Sequence, residues 1–167
     1  MGVIRLMLNG LNNELPYNKI YGKNQIPERE NLRVKMKGSC LCKSIHYECD
    51  ALINGIVNCH CNTCRKAHAA PYAPTAGVKR EHFRWLKGVE YLNSYESSAG
   101  KVRHFCSVCG SHLMAERVSQ GHVILRVATL DEAPPDTVIS HIWCSHDVSW
   151  LKENKGVPHF DEWQTDE

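Results

Sequence analysis

Three cysteines fall within six residues in the stretch Cys59-His60-Cys61-Asn62-Thr63-Cys64. Thiolates bind zinc at about 2.3 Å in tetrahedral geometry, so ligands this close in sequence require a tightly turning backbone. A structural zinc site usually has four protein ligands, whereas a catalytic site supplies three and leaves the fourth position for water or substrate. The central question for this chain is therefore whether a fourth protein ligand completes the cluster.

The nine cysteines of the chain are better explained as metal ligands than as disulfides. Arg5 and Asn9 interrupt the only apolar patch near the N-terminus, so no secretion signal is recognisable. Clustered C-x-C and C-x-x-C pairs in such a chain are typical of metal sites, and a C-x-C disulfide would close a strained ring. We therefore expect a cytoplasmic protein that binds zinc, with iron as the alternative metal for thiolate ligands.

Composition narrows the possible partners. The 167 residues are 43% hydrophobic and 23% charged, which is ordinary for a soluble globular protein. No apolar run approaches the roughly 18 residues that a membrane span needs. A net charge of +2 with dispersed basic residues argues against nucleic acid as a partner. Oligomeric state cannot be read from these features.

Residues 1–35 differ from the rest of the chain. They contain scattered Asn, Pro and Gly residues, such as Asn9-Gly10 and Pro16, and no sustained apolar period. This composition predicts a weakly ordered N-terminal extension over residues 1–35, followed by a zinc-binding domain over residues 36–167.

Short alternating segments predict a mainly β fold for the second region. A metal would add to the stability of its small core. We expect strands over residues 44–49, 89–96, 101–105, 112–118, 122–128 and 138–144. Asn54-Gly55 predicts a hairpin turn, and residues 79–87 predict a short helix that ends at Gly88. Pro71 restricts residues 65–70 to about one helical turn.

A second group of thiols comes from two distant pairs, Cys40 with Cys42 and Cys106 with Cys109. The sequence C-x-x-C-G predicts a zinc knuckle, because the turn directs both sulfurs to one point and Gly110 tolerates a left-handed backbone. Together the two pairs would make a closed, four-cysteine structural site. The three thiols from Cys59 to Cys64 are then left with Cys49, Cys144 or a histidine as a possible fourth ligand.

These motifs resemble the glutathione-dependent formaldehyde-activating enzyme (GFA) family, also called the centromere protein V/GFA family. The resemblance covers about residues 37–163. It rests on Gly38-Ser39-Cys40-Leu41-Cys42, Cys59-His60-Cys61-Asn62-Thr63-Cys64-Arg65-Lys66, Phe83-Arg84-Trp85-Leu86-Lys87-Gly88, Phe105-Cys106-Ser107-Val108-Cys109-Gly110-Ser111-His112-Leu113, Ala128-Thr129-Leu130-Asp131 and His141-Ile142-Trp143.

The resemblance implies a fold, two metal sites and an activity. The fold would be the Mss4-like arrangement of small antiparallel sheets stabilised by zinc. Two zinc ions per chain are implied, a structural one on Cys40, Cys42, Cys106 and Cys109 and a catalytic one on Cys59, Cys61 and Cys64. The implied activity is that of a carbon-sulfur lyase, which joins glutathione to formaldehyde as S-(hydroxymethyl)glutathione or catalyses the reverse reaction. One branch of the family contains a centromere-associated protein.

Cations near the catalytic cluster would offset the charge of its thiolates or hold a substrate carboxylate. Arg65 and Lys66 directly follow Cys64, and we expect Arg65 to contribute to catalysis. Weaker candidates are Lys79, Arg80, Arg84 and Arg103. His60 is a candidate proton shuttle, although a metal held by both its neighbours would leave its side chain pointing away.

Other thiols and aromatic side chains are expected in the core. Cys49 alternates with apolar neighbours and Cys144 lacks a partner at metal spacing, so both are interpreted as buried thiols. The tryptophans are expected to pack in the core, with one of them as a possible wall of the catalytic cleft: Trp85, Trp143 and Trp150. His68, His104, His112 and His141 are not expected to bind metal.

Two functions follow. The first is a zinc-dependent lyase or synthase that adds a thiol, glutathione or a similar molecule, to a small aldehyde such as formaldehyde, or reverses that addition. The alternative is a non-catalytic, zinc-stabilised protein-binding module in which a fourth protein ligand closes the second site.

Overall fold

The computed structural model of the protein describes residues 35–150 and residue 160. The expected N-terminal extension over residues 1–35 lies almost entirely outside the described residues, so it stays a prediction. Within residues 35–150 no helix is both long enough and apolar enough to cross a membrane.

Ten strands and one α-helix, α1 (Asn62–His68), account for most of the described chain. Four 3-10 turns also occur, at Arg80–His82, Val89–Tyr91, Val127–Thr129 and Cys144–His146. The strands are β1 (Met36–Ser39), β2 (His46–Cys49), β3 (Ile53–Cys59), β4 (Ala73–Lys79), β5 (Phe83–Lys87), β6 (Leu92–Ser98), β7 (Lys101–Cys106), β8 (His112–Arg117), β9 (His122–Arg126) and β10 (Val138–Ile142).

The strands form two sheets, one with the order β1-β2-β5 and a seven-stranded one with the order β10-β3-β4-β9-β8-β7-β6. Neighbouring strands are antiparallel except for β10 and β3, which are parallel. The mainly β prediction is confirmed. The larger sheet is mixed and wider than the small antiparallel sheets expected, because β10 returns to pair with β3 from about eighty residues further along the chain.

The main core lies where the two sheets face each other. Tyr47 of the small sheet packs there with Val78, Met114, Val123 and Leu125 of the large sheet, and all five are buried. Since alternate residues of a strand point to opposite faces, the other face of the large sheet is free for a different task. That face carries the site described below.

A close approach within the small sheet explains one glycine, because Gly38 of β1 pairs directly with Tyr47 of β2. A Cβ on Gly38 would lie 2.2 Å from the ring of Tyr47, whose hydroxyl is 2.8 Å from Thr129 Oγ1. Only glycine leaves room for this fully buried tyrosine.

Two local predictions were wrong. Asn54-Gly55 does not end a hairpin: both residues have positive φ, but they form an irregularity inside β3, and the strand continues to Cys59. The helix expected over residues 79–87 is replaced by a 3-10 turn and β5. Pairing with β2, which sets Trp85 opposite Tyr47, favours the extended backbone over the local helical preference.

Candidate metal centres and the adjoining cavity

Four cysteines from two distant turns converge as predicted. Cys40 and Cys42 follow β1, whereas Cys106 ends β7 and Cys109 lies in the next turn. Their ligand atoms all lie within 4.8 Å of one another. Cys42 Sγ is 3.5 Å from Cys40 Sγ and 3.8 Å from Cys106 Sγ. A zinc tetrahedron with bonds of about 2.3 Å has edges of about 3.8 Å, so these distances fit a shared zinc ion.

Backbone turns hold these sulfurs in place. The Ile45 N–H donates to Cys40 Sγ at 3.3 Å, and the Gly110 N–H donates to the Cys106 carbonyl at 2.9 Å with a φ of +77° at the glycine. Burial raises the pKa of the Cys109 thiol, but hydrogen bonds with Ser111 and Cys42 outweigh it and lower the pKa to about 6. Burial raises the pKa of the Cys106 thiol to about 11. The turn thus favours the thiolate form that a metal requires at Cys109, whereas Cys106 holds its proton in the absence of a metal.

The second cluster is formed where β3 meets α1. Cys59 ends β3, Cys61 caps α1 by accepting a hydrogen bond from the Cys64 N–H at 3.4 Å, and Cys64 lies in the first turn of the helix. Their sulfurs lie within 4.8 Å of one another, and no fourth Cys, His, Asp or Glu joins them among the described residues. Cys49 is in the main core, as predicted, and is not a ligand of this cluster.

Protonation within the cluster is unequal. A hydrogen bond from Cys59 lowers the pKa of the Cys64 thiol to about 4, and the neighbouring guanidinium groups of Arg103 and Arg126 act in the same direction. The same hydrogen bond raises the pKa of Cys59. All nine cysteines are within the described residues and none forms a disulfide.

A cavity of about 400 Å³ opens beside the three thiols. Its wall includes Trp143, which is 58% exposed, so the expectation of a core position for this tryptophan was wrong and its alternative role as a cleft wall is confirmed. The full lining comprises Cys59, Cys61, Asn62, Thr63, Cys64, Thr75, Ser97, Ser98, Lys101, Arg103, Arg117, Ile124, Arg126, Ile142, Trp143 and His146.

Four cations enter the cavity from the large sheet: Lys101, Arg103, Arg117 and Arg126. Lys101 pairs with Arg117 and Arg103 pairs with Ala115, so they share one face of β7 and β8. Burial lowers the pKa of Arg126 to about 10, and repulsion by Arg103 acts in the same direction. Sequence reasoning ranked Arg103 low and missed the other three. Charged residues at alternate positions of predicted strands were the available signal.

The cations favoured from the sequence lie elsewhere. Arg65 and Lys66 are on α1, outside the residues that line the cavity, and Arg65 is 3.5 Å from Asn62 Oδ1. A catalytic role for Arg65 stays a prediction. Arg80 pairs with Glu116, Arg84 pairs with Glu48, and Lys79 is an exposed strand end outside the cavity lining.

His60 is buried and points away from the three sulfurs. Its Nδ1 contacts Asp147, its Nε2 is 2.8 Å from His141 Nδ1, and its ring lies 4.9 Å from that of Tyr72. The His60 N–H also donates to the Ile142 carbonyl at 2.9 Å. These contacts connect the cysteine loop to β10 and the residues after it.

The core positions expected for Cys144 and Trp150 were wrong, because both residues are exposed. Cys144 is exposed rather than buried, and its sulfur lies within 4.8 Å of ligand atoms of His60 and Asp147. Trp85 packs against Tyr47 and Phe83 at the edge of the core, whereas Trp150 is 69% exposed. His68, His104, His112 and His141 belong to none of the possible metal groups among the described residues.

Known proteins resemble this chain. The family described as glutathione-dependent formaldehyde-activating enzyme matches residues 35–146. A protein of Schizosaccharomyces pombe, named as an uncharacterized lyase, is 31% identical over 77 residues. That match covers 46% of this chain and 54% of the relative, so it spans about half of the relative's length. A crystal structure of a Rhodobacter sphaeroides protein matches with a TM-score of 0.53 and 27% identity, over 64% of this chain and 99% of that protein.

Proposed function

This chain belongs to the glutathione-dependent formaldehyde-activating enzyme family, and from this premise we propose that it is a carbon-sulfur lyase. Its reaction would join a thiol, glutathione or a similar molecule, to a small aldehyde such as formaldehyde, or split the adduct. The relative named as a lyase supports the general class.

One observation carries the proposal. The cluster of Cys59, Cys61 and Cys64 has no fourth protein ligand among the described residues, and it opens onto a cavity. A three-ligand site with an accessible fourth position is typical of catalytic rather than structural zinc. The four-cysteine cluster supplies the contrast, because it is complete without a substrate atom.

The chemistry is a simple addition. The thiolate sulfur forms a bond to the carbonyl carbon, the C=O π electrons move to oxygen, and that oxygen gains one proton while the thiol has lost one. Zinc bound to the three cysteines would supply one of two effects at its open position: it would lower the pKa of a coordinating thiol or polarise an aldehyde oxygen.

The protein residues around the cluster would prepare the site for this step. Three thiolates outweigh the charge of one divalent cation, so the centre is anionic, and the guanidinium of Arg103, with Nη2 at 3.8 Å from Cys64 Sγ, would offset that charge. Part of the cavity wall is apolar, formed by Ile124, Ile142 and Trp143. These side chains would limit the access of water.

The first experiment combines metal content, spectroscopy and turnover on protein purified without added metal or thiol. We expect two zinc ions per chain. Zinc K-edge absorption should shift towards more sulfur ligands when glutathione is added. NMR exchange between ¹³C-formaldehyde and its glutathione adduct should be accelerated by the protein.

Cys61→Ser is the matched variant, with the exposed Cys144→Ser as its control. We expect Cys61→Ser to lose about one zinc ion per chain and at least ~100-fold in exchange rate, since a hydroxyl is a poor substitute for a thiolate ligand, while the control keeps both. An unchanged zinc shell together with no acceleration by the wild-type protein, both with glutathione and with a shorter thiol such as 3-mercaptopropionate, would contradict the proposal and favour the non-catalytic binding module.

A further inference from the structure

Two buried arginines beside the three-cysteine cluster have hydrogen-bond donors without partners. Arg103 is 2% exposed and Arg126 is 4% exposed. Arg103 Nε donates to Ser97 Oγ at 2.9 Å, but its Nη1 has no partner among the described residues, and neither do Nε and Nη2 of Arg126. Burying a charged donor without a partner is costly. A bound ligand that accepts hydrogen bonds from these atoms would remove that cost.

The strand register places both arginines on the same face of the large sheet, on strands separated by β8 alone. Arg103 of β7 pairs with Ala115 of β8, which pairs with Ile124 of β9, and Arg126 lies two residues further along β9 on the same face. Both arginines line the cavity, and Arg103 is close enough to Arg126 to lower its pKa by repulsion. This fork of planar donors suits a carboxylate, which accepts parallel hydrogen bonds.

The charge in the cavity also exceeds what the metal centre requires. Lys101 and Arg117 line the cavity with the two arginines, and no Asp or Glu is present among its described lining residues. Three thiolates with one divalent cation leave an excess of about one negative charge. The surplus positive charge favours an anionic ligand.

The anion would lie close to the reacting sulfur. Arg103 Nη2 is 3.8 Å from Cys64 Sγ, and a thiol at the fourth zinc position would lie about 3.8 Å from each cysteine sulfur. A carboxylate at about 2.8 Å from the same guanidinium is therefore within reach of a sulfur two or three carbons away.

We propose that Arg126 and Arg103 form a carboxylate subsite, and that the thiol substrate is a small mercapto acid with its carboxylate two or three carbons from sulfur. The identity of the reacting group rests on the proposed function. The anion subsite rests on the buried arginines alone.

Calorimetric titration of the zinc-loaded protein tests this inference with three probes: 3-mercaptopropionate, neutral 2-mercaptoethanol and thiol-free propionate. We expect 3-mercaptopropionate to bind about 10- to 100-fold more tightly than 2-mercaptoethanol, the range for a charge-assisted hydrogen bond. Arg126→Gln should remove most of that preference and leave 2-mercaptoethanol affinity within about threefold. The control Arg84→Gln, on the other sheet and paired with Glu48, should retain the preference.

Competition on the wild-type protein avoids reliance on a variant that fails to fold. Sulfate should weaken 3-mercaptopropionate binding and leave 2-mercaptoethanol binding unchanged.

Equal affinity for the two thiols, or a preference that survives Arg126→Gln, would overturn the carboxylate subsite. Propionate binding that depends on Arg126 would retain the subsite even if neither thiol bound, an outcome that would instead overturn the proposed lyase function. Glutathione, with carboxylates farther from its sulfur, should lose less than 3-mercaptopropionate in Arg126→Gln, and an equal loss would overturn the short spacing.

Discussion

At the scale of single residues, His68 makes the stability of the folded state depend on pH. It lies at the end of α1 with its ring 5.0 Å from that of His112. Burial lowers the pKa of His68 to about 3, and the nearby Arg126, His112 and Arg103 act in the same direction. In the unfolded chain its pKa is about 6.5. The folded state therefore resists protonation that the unfolded state accepts, so its contribution is complete above pH 6.5 and is lost as the pH falls towards 3.

We expect the shifted pKa of His68 alone to lower the free energy of unfolding by about 2 kcal/mol when the pH falls from 7 to 5. Acid also protonates thiolate ligands, so the informative quantity is the difference between the wild type and His68→Gln in denaturant unfolding at both pH values. The variant should lose less stability on acidification. The control His122→Gln, at the first residue of β9, should lose as much stability on acidification as the wild type. An equal pH dependence for all three proteins would contradict the role given to His68.

At the scale of elements, the two cysteine clusters hold different parts of the fold together. The four-cysteine cluster connects the turn after β1 to the end of β7, across more than sixty residues of sequence. The three-cysteine cluster lies within a single strand-to-helix connection. A metal at the first site would therefore close a long loop between the sheets, whereas a metal at the second site would order only a short loop.

Substitution of Cys106, which is fully buried, should separate these roles. We expect Cys106→Ser to lower thermal stability by several kcal/mol in free energy, because it removes a ligand and leaves a buried hydroxyl. Cys61→Ser should unfold near the wild-type temperature despite its loss of zinc. Circular dichroism melts with zinc analysis would measure both, and equal melting temperatures for the two variants would contradict the division.

At the scale of the whole molecule, the domain expected over residues 36–167 should fold without the segment before it. β1 begins at Met36, and residues of both sheets complete the main core within the described part of the chain. We expect a chain that starts at Met36 to keep its zinc content, its melting temperature within a few degrees and its exchange activity. Loss of zinc or of cooperative unfolding in the truncated protein would show that residues 1–35 belong to the domain.

Cysteine spacing and strand periodicity were sufficient for the mainly β character of the chain and for both cysteine clusters. Thiols two or three residues apart must meet in a turn, and alternating side chains mark strands, so both signals are local. The failures at Asn54-Gly55 and residues 79–87 arose where a pairing with a distant strand overrode local preference.

Local sequence thus determined which residues form the cysteine clusters and that the chain is mainly β. Only the tertiary structure decided what surrounds the open cluster. Arg103 and Arg126 reach the cavity because β7, β8 and β9 pair in one register, and Trp143 reaches it because β10 pairs with β3. Strand pairing depends on contacts between segments far apart in the chain, and the residues beside Cys64 in sequence, Arg65 and Lys66, are consequently not its neighbours in the cavity.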